Sequence, residues 1–410
     1  MYLILPLIVS AIASLYYDGR PESRGSLTIY ALIGIWLALF AGLRYHVGVD
    51  TFKVELLMSG LPPIYEFDSS TLSSTYFEPG LPILSGVCLL FAPGFLLPQL
   101  ICNFWINFSI FLFARRYCPQ RLFLFVFLYI ILQYLNLNFE IMRHSVGIAF
   151  LLFSWPYFER KDWLPYVFLN LCGVLFHRGM VVALLLPILA YRPLKELFTG
   201  RIRFLILCVC MWAFGLGLYL LREYMAAHPD VSPLLRMPVI AGYGATYPLY
   251  MTLNWKGVAQ FIALQAIWPL AAMLWSRSRW LPAMLGILMA FMVNRRLLDT
   301  FSIFVIVMLA NAFGERPKWL NLPMAVASYL LPLALIIWSR LGTVPMPAGG
   351  TMPNYRKYYP YYSWINPKID SLRETYMLSL KDLDYRFKAS GDSLIEIPED
   401  SDERPDTTGK

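Results

Sequence analysis

Apolar residues recur along this chain in blocks of about 17 to 22, the length that crosses a bilayer. The pattern predicts spans near 1–16, 27–43, 95–114, 121–138, 142–158, 163–176, 178–191, 203–221, 256–276, 280–294, 297–313 and 320–340. Segment 80–93 is shorter and bracketed by prolines, which suits an interfacial helix better than a crossing. No Lys or Arg precedes the first block, so it reads as a spanning helix rather than a cleaved leader. The expected fold is an all-α polytopic membrane protein of about twelve helices in residues 1–340. A polar tail follows at 341–410. It opens as a Gly/Pro-rich linker, Pro345 to Pro353, continues through an aromatic stretch, Tyr355 to Trp364, and ends acidic and disordered.

Lys and Arg then orient the spans, because short cytoplasmic loops carry the excess of positive charge. Arg20, Arg24, Arg115, Arg116, Arg121, Arg160, Lys161, Arg192, Lys195, Arg277 and Arg316 all fall in short loops that can share the cytoplasmic side. The outward side then receives the loops 44–80 and 222–255 and the turns at Glu140, His177-Arg178 and Asn294-Arg295-Arg296. The spans 163–176 and 178–191 are short for a hydrocarbon core of about 30 Å. A hairpin there sets His177 and Arg178 below the outer surface, in a recess. The alternative is one tilted helix over 163–191, with His177 packed at midspan.

Composition narrows the class. The chain has 410 residues, 58% hydrophobic and only 15% charged, with a formal net charge of +8. No basic stripe interleaved with aromatics marks a soluble face, so nucleic acid is not an expected partner. The six cysteines are scattered among apolar runs with no metal-ligand spacing. Phosphate-cradling, dinucleotide and zinc-hydrolase motifs are also missing, so neither a metal nor a cofactor is expected.

The charged residues at the ends of the apolar blocks carry the chemistry. Ionisable groups at membrane depth are costly and mark sites. Arginine is permanently charged and forks onto phosphate oxygens. Arg44, Arg143, Arg178, Arg295 and Arg296 therefore form a candidate diphosphate clamp, with Glu140 in the same outward set. Each also has a plainer reading, as an interface anchor or the partner of a nearby acid. Arg143 follows Glu140 by three residues, close enough for a pair on one helical face. Asp50, Glu78 and His177 are the candidate catalytic groups, as base or electrostatic stabiliser, and Asp50 and Glu78 serve equally well as neutralising or capping residues. Tyr361 suits either a sugar ring or the membrane interface.

The order of these signatures resembles the EpsG-like branch of Wzy-type polysaccharide polymerases. The matching pieces are Arg44-Tyr-His-Val-Gly-Val-Asp50, Glu78-Pro79-Gly80, Met142 to Ala149, and Leu175 to Met180. The likeness covers 30–190 and continues more loosely through Asn294 to Leu297 and Tyr359-Pro360-Tyr361. Relatives carry Gln where His144 stands and Lys-Ser-Ala where Arg178-Gly179-Met180 stands, so charge persists at 178 and any role of 144 is open. The resemblance implies a glycosyltransferase of the bacterial inner membrane. It would join oligosaccharide repeat units carried on undecaprenyl diphosphate, at the outer face of that membrane. The product would be capsular polysaccharide, exopolysaccharide or O-antigen, made beside a flippase and a chain-length regulator. A lipid-linked glycan ligase, a membrane O-acyltransferase and a non-enzymatic flippase are the rival readings.

Overall fold

The computed structural model describes residues 3–48, 52, 54–55, 58, 60–68, 71, 78–189, 295–312, 342–345, 351–368, 370–373 and 376. Most of these are helical. In chain order the helices are α1 (Ile4–Tyr17), α2 (Arg24–Gly42), α3 (Gly80–Cys88), α4 (Leu96–Tyr117), α5 (Leu122–Tyr129), α6 (Met142–Arg160), α7 (Trp163–Phe176), α8 (Val181–Leu189) and α9 (Arg295–Ala312). Among the described residues, α2 and α4 are long and apolar enough to cross a membrane, and α1, α7 and α8 are shorter apolar helices. The expected spans 203–221, 256–276, 280–294 and 320–340, and the loop 222–255, lie outside the described residues.

The helices carry large apolar side chains on their outer faces, and a seam of buried polar side chains runs through a mainly apolar interior. On α4 the residues Ile101, Phe104, Phe108 and Leu112 face outward at helical spacing, and Leu164, Phe168, Leu171 and Leu175 do the same on α7. Gln99, Asn103 and Asn107, one turn apart on the other face of α4, are fully buried. Each polar group there has to find its partner within the protein. The Gln99 amide donates to the carbonyls of Gly42 and Arg44, 2.8 Å each, and so satisfies the open end of α2. Asn107 donates to Asn138 Oδ1 (2.8 Å) and accepts from the Tyr129 hydroxyl (3.1 Å), and Asn138 donates back to that hydroxyl (2.7 Å).

That closed triangle accounts for a departure from the expected plain span over 121–138. After α5 the backbone widens into two π-helical turns, Ile130–Tyr134 and Asn136–Glu140. The shifted register lets Asn138 reach back while the Tyr134 hydroxyl donates to the Leu37 carbonyl at 2.6 Å.

Two ends of the bundle are distinct. At one, the Asp18 carboxylate accepts from the Phe123 and Leu124 N–H groups, Arg115 meets Glu22 at 3.4 Å, Tyr117 donates to Glu159, and Asn311 donates to the Tyr117 carbonyl. This end carries Arg20, Arg24, Arg115, Arg116, Arg121, Arg160 and Lys161. The other end gathers residues 43–48, 78–80, 139–144, 176–180 and 299–300. It also holds part of the tail, where residues 343–345 and 351–353, at the two ends of the expected linker, pair as strands. Strands β1 (Thr343–Pro345) and β2 (Thr351–Pro353) form an antiparallel pair. The residues that follow dock onto the end of α2: the Trp364 N–H donates to the Leu43 carbonyl and the Tyr45 N–H to the Tyr362 carbonyl, 2.9 Å each. The acidic end of the tail, beyond residue 376, lies outside the described residues.

Candidate functional site

Three consecutive residues at the start of α6 organise the site end. Ile141, with φ −122° and ψ 41°, separates the π-helical segment from α6. Met142, Arg143 and His144 then point to three different elements. Met142 Sδ lies 3.6 Å from Arg44 Nη2, Arg143 reaches Glu78, and His144 Nε2 lies 2.9 Å from Thr300 Oγ1. The break at Ile141 is also why the possible Arg143–Glu140 pair does not form.

Glu78 is the hub of the first cluster. Its Oε2 accepts from Arg143 Nη1 at 3.0 Å, and its Oε1 accepts from the Arg178 backbone N–H at 3.1 Å. The Arg178 guanidinium is 3.9 Å away, and its side chain is 64% exposed, against 17% for both Arg143 and Glu78. Arg178 therefore presents its charge to the outside while Arg143 is held within. Among the described residues, two guanidinium groups and one carboxylate meet here.

The sequence builds this geometry locally. Glu78 precedes Pro79, which caps α3. A Cβ at Gly80 would stand 2.7 Å from the Leu175 carbonyl oxygen, so glycine lets the start of α3 abut the end of α7. That contact carries Glu78 to residues 177 and 178. The expected hairpin break is present, because α7 stops at Phe176 and His177 is extended (φ −156°, ψ 116°). One turn of 3₁₀ helix, Arg178–Met180, then leads into α8. Helices α6 and α7 pack closely beneath, with a Cβ at Gly147 only 3.2 Å from the Gly173 carbonyl.

The second cluster surrounds Arg44. Its side chain is almost completely buried, donates to the Ala41 carbonyl (2.6 Å) and Asn103 Oδ1 (3.4 Å), and lies over the Phe139 ring at 4.8 Å. Burial lowers its pKa to about 10, against the pull of Tyr134, Tyr361, Glu55 and Glu140, so it stays cationic at neutral pH. Glu55 is buried too, and desolvation raises its pKa to about 7 despite Arg44 and the His46 backbone N–H. His46 approaches Glu55 at 3.7 Å. Burial, with the Arg373 charge, lowers the His46 pKa, so at pH 7 this is a contact with a neutral ring rather than an ion pair. Gly48 turns the chain with φ +91° and leaves no room for a Cβ against the Phe139 carbonyl.

The structure thus brings Glu78, Arg143, His177 and Arg178 together and places Arg44 and Glu140 in the adjoining cluster. Glu140 ends the π-helical segment with its Oε1 buried. The Tyr361 ring stacks on Phe40 at 4.3 Å and its hydroxyl donates to the Phe40 carbonyl at 2.7 Å. Asp50 and the side chains of Arg295 and Arg296 lie outside the described residues, although the backbone of both arginines opens α9 one turn before Thr300. Sequence reasoning missed Glu55, Thr300 and the buried amides Gln99 and Asn103. The amides had a readable signal, polar residues one turn apart in an apolar helix.

Apolar outer helix faces and a buried polar seam are the marks of a helical membrane protein, and its charged turns gather at one end. The EpsG family profile matches residues 27–363, and the chain belongs to that family. Comparison with curated proteins and with solved structures yields no match.

Proposed function

We propose that this protein is a multi-pass glycosyltransferase of the bacterial cytoplasmic membrane that polymerises undecaprenyl-diphosphate-linked oligosaccharide repeat units at the outer face. Family membership supports a polysaccharide-polymerase activity. The short loops that carry Arg20, Arg24, Arg115, Arg116, Arg121, Arg160 and Lys161 lie at the end opposite the site, which supports an outward-facing site.

The observation that carries the reading is the Glu78 hub, which holds Arg143 beside an exposed Arg178. In the transfer, the bond from the anomeric carbon to the carrier diphosphate breaks as a bond to the acceptor sugar hydroxyl forms. The diphosphate departs with the lipid, and the hydroxyl proton passes to a base. Fixed guanidinium groups are suited to the charge that builds on the leaving diphosphate. Glu78 already accepts from Arg143 and Arg178, so it acts as the positioning residue. The base role then falls to Asp50 or another carboxylate. A flippase and a chain-length regulator are the partners this reading calls for.

The test is surface glycan length in a strain lacking the gene. The wild-type chain is expected to restore long glycan. Arg143→Ala, expressed to the same level, is expected to leave single lipid-linked repeat units on the outer leaflet. Long glycan with Arg143→Ala overturns the assignment. Units retained on the inner leaflet point to a flippase instead.

A further inference from the structure

The chain that leaves α2 is held by the tail. The Leu43 carbonyl accepts from the Trp364 N–H and the Tyr45 N–H donates to the Tyr362 carbonyl, 2.9 Å each, so Arg44 and Ser363 stand opposite each other as in an antiparallel ladder. Further on, the Gly48 N–H donates to the Lys357 carbonyl at 3.3 Å. Two short paired strands are marginally stable at best by themselves. Residues 357–364 therefore need a hold of their own, and Tyr361, stacked on Phe40, is one part of it. Arg373 supplies another. It is buried, with 1% of its surface exposed. Its Nη1 donates to the Pro360 carbonyl at 2.8 Å, and its guanidinium lies over the Tyr362 ring at 5.6 Å. Its own N–H donates to Asp370 Oδ1 at 3.0 Å, and Asp370 Oδ2 meets Arg356 at 3.5 Å.

These contacts close residues 356–373 into a loop, with the residues that pair with 43–45 inside it. Burying a cation is costly unless its bonds offset the loss of water, and a guanidinium can donate and stack at once. The family profile ends at residue 363, at the bridge to Arg44, and Arg373 lies beyond it, so family membership says nothing about this residue. We propose that Arg373 is a positioning residue for the site: it clasps Pro360 and Tyr362, so that the tail holds Leu43 to Gly48, and Arg44 with them, at the end of α2. It acts through the Arg44 segment, on the shape of the site rather than on the reacting atoms.

Two substitutions in the full-length chain test the clasp. Arg373→Met keeps most of the buried stem and loses the donors, and Arg373→Lys keeps one charged donor. Each is combined with Ser363→Cys as the single thiol, and labelling by a maleimide is timed in detergent. Cys118, fully buried at the opposite end, is the single thiol in a parallel set and reports global unfolding. Loss of one hydrogen bond from a charged donor shifts a local opening equilibrium roughly ten- to a hundredfold. Labelling at position 363 is expected to quicken by that factor in Arg373→Met and by clearly less in Arg373→Lys, with Cys118 unchanged. Glycan made by Arg373→Met in the deletion strain, at wild-type expression, is expected to be short, and Arg373→Lys is expected to lengthen it again. Unchanged labelling at 363 overturns the clasp, and long glycan with Arg373→Met overturns its bearing on the site. Cys118 opening in step with position 363 also overturns the proposal, because Arg373 then stabilises the whole fold and not this segment. So does Arg373→Lys performing no better than Arg373→Met, since a charged donor then restores nothing. If Arg373→Met does not accumulate, chains that retain Arg373 decide. Ser363→Cys is then expected to label at least about tenfold more slowly than Ile365→Cys, at a position 80% exposed, and equal rates overturn the docking that the clasp serves. Only the glycan readout rests on the polymerase reading: a wild-type chain that fails to restore long glycan removes that reading, and labelling still decides the clasp.

Discussion

Glu78 and Arg143 carry the site between them, and their coupling is measurable. Removing one partner of a half-buried, hydrogen-bonded ion pair costs about 1–3 kcal/mol, because the other charge loses its partner. Glu78→Ala and Arg143→Ala are each expected to destabilise the protein in detergent. The double variant is expected to lose less than the sum, by about 1 kcal/mol or more. Additive losses in thermal unfolding contradict the pairing. Glu55 makes a separate prediction about pH. Its carboxyl titrates at 4.5 in the unfolded chain and at about 7 in the folded one. A raised carboxyl pKa gives stability that is full below the unfolded value and lost as pH rises through the folded one, here about 3 kcal/mol between pH 4.5 and 7. Wild-type protein is therefore expected to lose more thermal stability from pH 5 to pH 8 than Glu55→Gln does. Parallel curves for the two proteins contradict the burial of that charge. At this scale the sequence named Glu78, Arg143, His177 and Arg178 because charges at the ends of apolar runs are conspicuous. Glu55 escaped because a lone acid in a long polar loop looks solvated until Arg44 and His46 fold over it.

Elements are positioned by close backbone approach, and α3 is the sensitive case. A Cβ at Gly80 meets backbone atoms of Leu175 at 2.7 and 2.8 Å, and backbone cannot swing aside as a side chain can. Gly80→Ala is expected to displace α3 from α7, cost about 1–3 kcal/mol and shorten the glycan by moving Glu78. Gly25→Ala in α2, whose nearest neighbour is 3.8 Å away, is the control and is expected to leave both unchanged. Normal glycan and stability in Gly80→Ala contradict this account of the Glu78-Pro79-Gly80 signature. Among the described residues, helix positions were legible from apolar block length, and so was the break at His177, since 29 residues between basic loops are too few for two full crossings. The π-helical turns were not legible. They depend on Tyr129, Asn107 and Asn138 meeting from separate segments, which no local period encodes.

For the whole molecule, the order of contacts fixes two ends. Asp18, Arg115, Tyr117, Glu159 and Asn311 share one of them. Arg44, Glu78, Arg143, His177 and the docked tail share the other. Ser363 bridges to Arg44 in the manner of a strand, and the Lys357 carbonyl accepts from the Gly48 N–H at 3.3 Å. A Pro- and Tyr-rich stretch has no apolar period, so the tail's place at the site end was foreshadowed by Tyr361 and the resemblance at Tyr359-Pro360-Tyr361 rather than by any pattern of burial. Substituted-cysteine labelling in intact cells reads this arrangement directly. With native cysteines replaced, single cysteines at the exposed positions Tyr65, Arg178 and Tyr359 are expected to react with an impermeant maleimide. Cysteines at Arg20 and Lys161 are expected to react only after the cells are opened. Labelling of Arg178 and Tyr359 from opposite sides would contradict a single outward-facing site.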